Sequence, residues 1–323
     1  MSTVLVNPQT ANIMNAVMCG LMSFGLLLTP QKFMQGGAYQ HPWFDDLPKE
    51  RDNRLYYLGQ FMAFLMLGGC LVPTLLSPSS QFLCYQMVLI HGVNLVHTMI
   101  FMCSSSYEKA RPTPMASKMQ WYFMTVLSSA FFVVTLLACL HSTDNVVDSR
   151  ETYVTKSAAN TLMLCFTSVF GVSFILMPRL LLSFFWSDDH LEEVKADGEN
   201  GNAKNDNEEG TRDAAPVENK VVRTVMGFKL LNMTDHERWW ARCIGTTILC
   251  LNLGVAVDAN INQPLFTYGS LVTVSCLTLL NFHQVVMRPY KSISTRHIVL
   301  SWLPNLAMCG VVIGVLASAV LYV

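Results

Sequence analysis

The sequence predicts an all-α integral membrane protein: eight transmembrane helices arranged as two tandem, parallel four-helix units. Three observations carry this reading. Of 323 residues, 52% are hydrophobic and only 13% are charged, about half the charge of an ordinary soluble domain. The apolar residues gather in blocks of about 20, the length that crosses a bilayer as a helix at ~1.5 Å per residue. The blocks of the second half also repeat features of the first half in the same order. Together these exclude a secreted disulfide scaffold, a nucleic-acid binder and a disordered chain.

The blocks, spans 1 to 8, run approximately over 12–32, 55–76, 81–103, 119–140, 158–180, 239–259, 265–287 and 298–321. Span 1 is expected to be a retained helix rather than a signal peptide. Nothing positive precedes it, no small-residue cleavage site follows it, and span 5 is its counterpart. All ten cysteines fall inside or at the ends of apolar blocks without a CxxC or other metal spacing, which makes them small packing residues.

Charge sets the expected direction. Eleven acids and four bases lie between Asp188 and Lys220, a net −7, against +6 for the rest of the chain. This stretch has almost no large apolar residue and is expected to be a solvated, disordered loop. Of the 21 Lys and Arg, 19 fall at the loops after spans 1, 3, 5 and 7, leaving Arg150 and Lys156 for the other side. Cytoplasmic loops collect Lys and Arg, so both termini are expected to be extracytoplasmic or lumenal and the acidic loop cytoplasmic. The sequon Asn232-Met233-Thr234 then lies on the cytoplasmic side and stays unglycosylated.

The internal repeat divides the chain. Asn12–Pro30 aligns without gaps on Asn160–Pro178, and Gly59 and Gly68 of span 2 match Gly245 and Gly254 of span 6. Gln81 pairs with Gln263, Trp121 with Trp302 and Leu140 with Leu321. Residues 1–140 are read as the first unit, 141–156 as an extracytoplasmic connector and 157–323 as the second unit. Within the second unit, 187–232 is the acidic loop, inserted between its first two helices. With an even number of spans each, the two units share one orientation and are related by an axis along the membrane normal.

The hydrocarbon region holds essentially no ionised residue, which counts against an ion-coupled pump. Its most polar cluster is His91, Asn94 and His97 on span 3, with Asn281 and His283 on span 7. Were the third helices of the two units to face each other, His97 and His283 would approach as a bis-imidazole haem pair. The blander reading gives these residues interhelical hydrogen bonds. Span 8 carries a stripe of small residues, Gly310, Gly314 and Ser318, which suits a close helix contact within the bundle or a homodimer interface. Thr234-Asp-His-Glu237 has the form of a capping box, with a catalytic grouping as the sharper alternative. GxSxG, glycine-rich phosphate loops, HExxH and HxxxH series are all missing, so the sequence leans away from an enzyme and implies no cofactor.

Three functions follow. The leading one is a passive carrier or binding protein for a neutral or lipid-like small molecule, its cavity lined by His91, Asn94, His97, Asn281 and His283. The next is a non-catalytic scaffold whose 188–220 loop meets a cytoplasmic protein. The third is a haem or pigment protein using the span 3 and span 7 histidines.

Overall fold

The computed structural model describes residues 6–30, 33, 52–104, 115–140, 152–187, 224–287 and 293–321, and these are mostly helical. Eight helices are long and apolar enough to cross a membrane. They are α1 (Pro8–Leu28), α2 (Arg54–Leu76), α3 (Gln81–Met102), α4 (Trp121–Cys139), α5 (Lys156–Leu176), α6 (Asp235–Asp258), α7 (Pro264–Met287) and α8 (Thr295–Val320). The sequence blocks agree with them to within four residues.

Local chemistry explains where the helices begin and end. Asn7 caps α1 by accepting from Gln9 N–H, and Pro8 follows where a missing N–H does no harm. Thr234 and Glu237 form a complete capping box at α6, so this group is a helix start. Pro30 and Pro178 end α1 and α5. The residues before them adopt nearly the same backbone, φ −136° and ψ 55° at Thr29, φ −134° and ψ 49° at Met177. A proline ring pushes its predecessor out of the α region, which is why both helices stop there. Inside α2 and α8, five-residue π turns at Leu67–Leu71 and Ile298–Trp302 stand two residues before Pro73 and Pro304. Proline lacks the amide that would continue the ladder, and the wider turn absorbs that loss.

The packing has an internal two-fold pattern. Helix α1 packs on α2, α3 and α4, as α5 packs on α6, α7 and α8. Helices α2 and α6 meet at the centre, with α3 against α6 and α7 against α2. The helices that face each other across the middle are therefore the second of each set, not the third. Their central position follows from small residues. A Cβ on Gly68 of α2 would lie 2.5 Å from the carbonyl oxygen of Gly269 in α7, and one on Gly245 of α6 would lie 2.6 Å from that of Gly171 in α5. Gly254 presses on Gln86, and Gly59 is buried. Gly310 and Gly314 differ. Nothing lies within 4 Å of a Cβ at either, both are exposed, and Ser318 only returns its hydroxyl to Gly314 O. The stripe faces outward, so a packing role inside the bundle does not hold for it.

A buried asparagine holds the same place in both halves. Asn12 Nδ2 donates to the carbonyls of Pro78 and Ser80, and its Oδ1 accepts from Cys84 Sγ. Asn160 Nδ2 donates to the carbonyls of Ile261 and Gln263, and its Oδ1 accepts from Thr267 Oγ1. Each first helix thus ties down the turn between the second and third. This register pairs Ser80, rather than Gln81, with Gln263.

The outer surface is apolar and much of the interior is polar. Val17, Leu21, Phe24 and Leu28 form an exposed stripe along α1, while Asn12, Asn15 and Ser23 of the same helix are buried. The acidic stretch 188–223 lies outside the described residues. Residues 224–232, assigned from sequence to that loop, form a hairpin in which Thr224–Val225 pairs with Phe228–Lys229. Met226 and Gly227 have positive φ at its tip, and Leu231 is buried behind it. Phe228 is held by Phe184 and by the Arg296 guanidinium, which explains why this short segment is ordered.

Candidate functional site: an interior cavity

A cavity of about 470 Å³ lies among α1–α4 and is closed by α6, within the ~300–1,000 Å³ range of small-molecule pockets. Six methionines (18, 22, 62, 66, 87 and 124) make up much of its wall, with Trp121, Trp239 and Trp240 at one end. Among the described residues, no Lys, Arg, Asp or Glu lines it. The π turn of α2 contributes Gly69 and Cys70.

Two of the residues singled out from sequence, His91 and Asn94, stand on this wall. A hydrogen-bond chain fixes the His91 tautomer. Thr135 Oγ1 gives its proton to Phe131 O at 2.7 Å, so it accepts from Asn15 Nδ2 at 3.0 Å. Asn15 Oδ1 then faces His91 Nε2 at 2.9 Å. An amide oxygen only accepts, so Nε2 carries the proton and Nδ1 is left as an acceptor with no partner among the described residues. One turn on, the Asn94 side-chain amide lies 3.2 Å from Thr246 Oγ1, whose own proton goes to Cys243 O at 3.0 Å, so Thr246 accepts from the Asn94 amide. Thr247, also on the wall, is 3% exposed, and its hydroxyl has no hydrogen-bond partner among the described residues.

The other three sequence candidates go elsewhere. His97 stacks on Trp239 with centroids 6.0 Å apart, and its Nδ1 lies 3.5 Å from Cys243 Sγ, behind the wall. Asn281 is buried, accepts from Tyr57 O–H at 2.7 Å and lines a different cavity. His283 points outward and is exposed. His97 and His283 therefore do not form the bis-imidazole pair, and among the described residues no three His, Cys, Asp or Glu gather into a metal site. No pattern along the chain singles out Thr247 or the methionines, because only the crossing of α6 over α3 puts them together.

The different cavity is smaller, about 80 Å³, and lies among α5–α8 with α2 beside it. Its wall is made by residues aligned with those of the large cavity. Phe166 and Phe170 take the places of Met18 and Met22, and Tyr57 and Phe61 those of Cys243 and Thr247. Val274 stands at the His91 position, Leu277 at Asn94 and Asn281 at Thr98. Aromatic rings fill here what methionine and threonine leave open there.

At the end of α2 nearest Trp239 and Trp240, the two halves are tied by a buried ion pair, Arg54 Nε to Glu237 Oε1 at 3.0 Å. Comparison of the chain with protein-family models, with curated proteins and with solved structures found no match.

Proposed function

We propose that this is a multi-pass membrane protein that holds a neutral, lipid-like small molecule in the cavity among α1–α4, acting as a passive carrier or binding protein. The observation that carries this reading is a methionine-rich space of about 470 Å³ that no Asp, Glu, Lys or Arg among the described residues lines, in a bundle whose outer face is apolar. Its volume lies in the range of small-molecule pockets. In this reading the chain sits in the bilayer with both termini extracytoplasmic or lumenal, which the Lys and Arg distribution supports. It is a tandem duplication. The matching asparagine ties, the matching breaks before Pro30 and Pro178, and the aligned cavity walls support that reading.

The test is native mass spectrometry of the full chain from mild detergent, beside the double variant Met18→Phe/Met22→Phe. These substitutions place the second half's residues in the first half's cavity. A small-molecule adduct on the native protein that disappears from the variant is expected. An adduct equally abundant on a folded variant would put the ligand elsewhere and end the proposal. A homodimer through α8 is the second reading, favoured by the outward-facing glycines. Gly310→Ile would then shift the detergent-solubilised mass from dimer to monomer.

A further inference from the structure

We infer that Cys84 and Cys139 form a disulfide that staples the start of α3 to the end of α4. This goes beyond the binding function proposed above and rests only on the orientation given there. Cys84 lies in the first turn of α3 and Cys139 is the last residue of α4, and the two helices pack on each other. With Ala11 and Ala138 the two cysteines make one small buried cluster, at 0% and 8% exposure. Cys84 Sγ donates to Asn12 Oδ1 at 3.3 Å, and the Cys139 thiol in turn hydrogen-bonds to Cys84. Thiols in contact have converging Cβ atoms, the condition for a bridge without backbone movement. Asn12 ties the same end of α1 to the turn between α2 and α3, so this is the extracytoplasmic or lumenal end in the proposed orientation. Disulfides form and persist on that side of a membrane. The other touching thiol pair, Cys19 and Cys70, lies on the cavity wall at mid-membrane, away from any disulfide donor, and stays reduced.

The second half shows that packing at this place does not call for sulfur. Thr267 stands in α7 where Cys84 stands in α3, and its hydroxyl donates to Asn160 Oδ1 as Cys84 donates to Asn12. Val320 ends α8 where Cys139 ends α4, beside Ala319 and Ala138, both fully buried. The two thiols are thus present together in one half and replaced together in the other. The bond forms by exchange with a disulfide donor of that compartment, an oxidised dithiol enzyme or glutathione disulfide. The thiolate of Cys139, the more exposed of the two, attacks the donor and makes a mixed disulfide, releasing one donor sulfur. The Cys84 thiolate then attacks Cys139 Sγ and releases the second. The donor gains two electrons, the two cysteines lose them, and their two protons end on the donor sulfurs. Asn12 gives up one acceptor contact and keeps both donor bonds to the turn.

The experiment counts thiols in the full-length protein. Membranes from expressing cells are dissolved in SDS with excess N-ethylmaleimide, with or without prior reduction, and the intact chain is weighed. The native protein should label at all but two of its ten cysteines before reduction and at all ten after it. A non-reducing digest should yield the peptides of Cys84 and Cys139 joined. The double variant Cys84→Thr/Cys139→Val installs the second half's residues and keeps a donor for Asn12, so it should fold. Every remaining cysteine in it should label with or without reductant. Ten labels on the unreduced native protein, or a missing pair that persists in the double variant, overturns the inference. A sequon placed in residues 141–151 separates the two possible failures. Ten labels on a chain that is glycosylated there overturn the disulfide alone, and ten labels on a chain that is not overturn the orientation with it.

Discussion

The buried pair of Arg54 and Glu237 should be the strongest single tie between the halves, and its strength can be worked from its geometry. Glu237 Oε1 accepts from Arg54 Nε at 3.0 Å, while Oε2 accepts from the Thr234 amide at 2.8 Å. The two residues are 6% and 2% exposed, so solvent screens the pair little. Glu237→Gln keeps the shape but puts an N–H₂ against one of two donors and removes the charge that faces the guanidinium. Breaking one partner of a buried pair typically costs ~3–5 kcal/mol, whereas replacing both with uncharged groups costs far less. Glu237→Gln and Arg54→Met should each lower the apparent Tm by about 10 °C, taking ~2–4 °C per kcal/mol. The double variant should fall well short of the sum, with a coupling of ~2 kcal/mol or more. The assay is thermal unfolding in detergent with a thiol-reactive dye, because seven of the ten cysteines are buried until the bundle opens. A Tm within 2 °C of the native protein for Glu237→Gln, or strict additivity in the double variant, would refute the reasoning.

Other outcomes follow from the same contacts. Gly269→Ala places a Cβ against the carbonyl of Gly68 and should destabilise by roughly 2 kcal/mol or more, whereas Gly314→Ala, with open space around it, should be neutral or gain up to ~1 kcal/mol of helix propensity. Paired thermal scans in the same dye assay check this. Asn12→Ala and Asn160→Ala each strand two turn carbonyls and should each cost about 2 kcal/mol, equal within ~1 kcal/mol, by the same measurement. Asn232 should carry no glycan, while a sequon built into residues 141–151 should acquire one in a microsomal translation assay read by glycosidase sensitivity. A glycan on native Asn232 would reverse the orientation.

The eight helices were legible because their apolar runs are long and their breaks have local chemistry, such as the prolines at 30 and 178. Part of the site was legible too. His91 and Asn94 stand out as polar residues in an apolar span, whatever they touch. What a linear reading lacks is the side each residue faces. His283 has the same composition argument as His91, yet a rotation about the α7 axis leaves it outside the bundle. The stripe at Gly310 reads like the contact at Gly68, but only Gly68 has a partner helix over it. Thr247 became a candidate only once α6 was seen to close the cavity of the other half.

The methionine lining has a consequence for how selective such a protein can be. A thioether chain has three rotatable bonds and no branch, so the wall can remould around differently shaped hydrocarbons at little expense. Discrimination by the shape of a bound hydrocarbon should therefore be weak. The same sulfurs make the lining oxidisable. Conversion of even one of Met18, Met22 or Met62 to its sulfoxide would put a strong dipole into a largely apolar wall, so the capacity to hold hydrocarbon would fall under peroxide and return with methionine sulfoxide reductase.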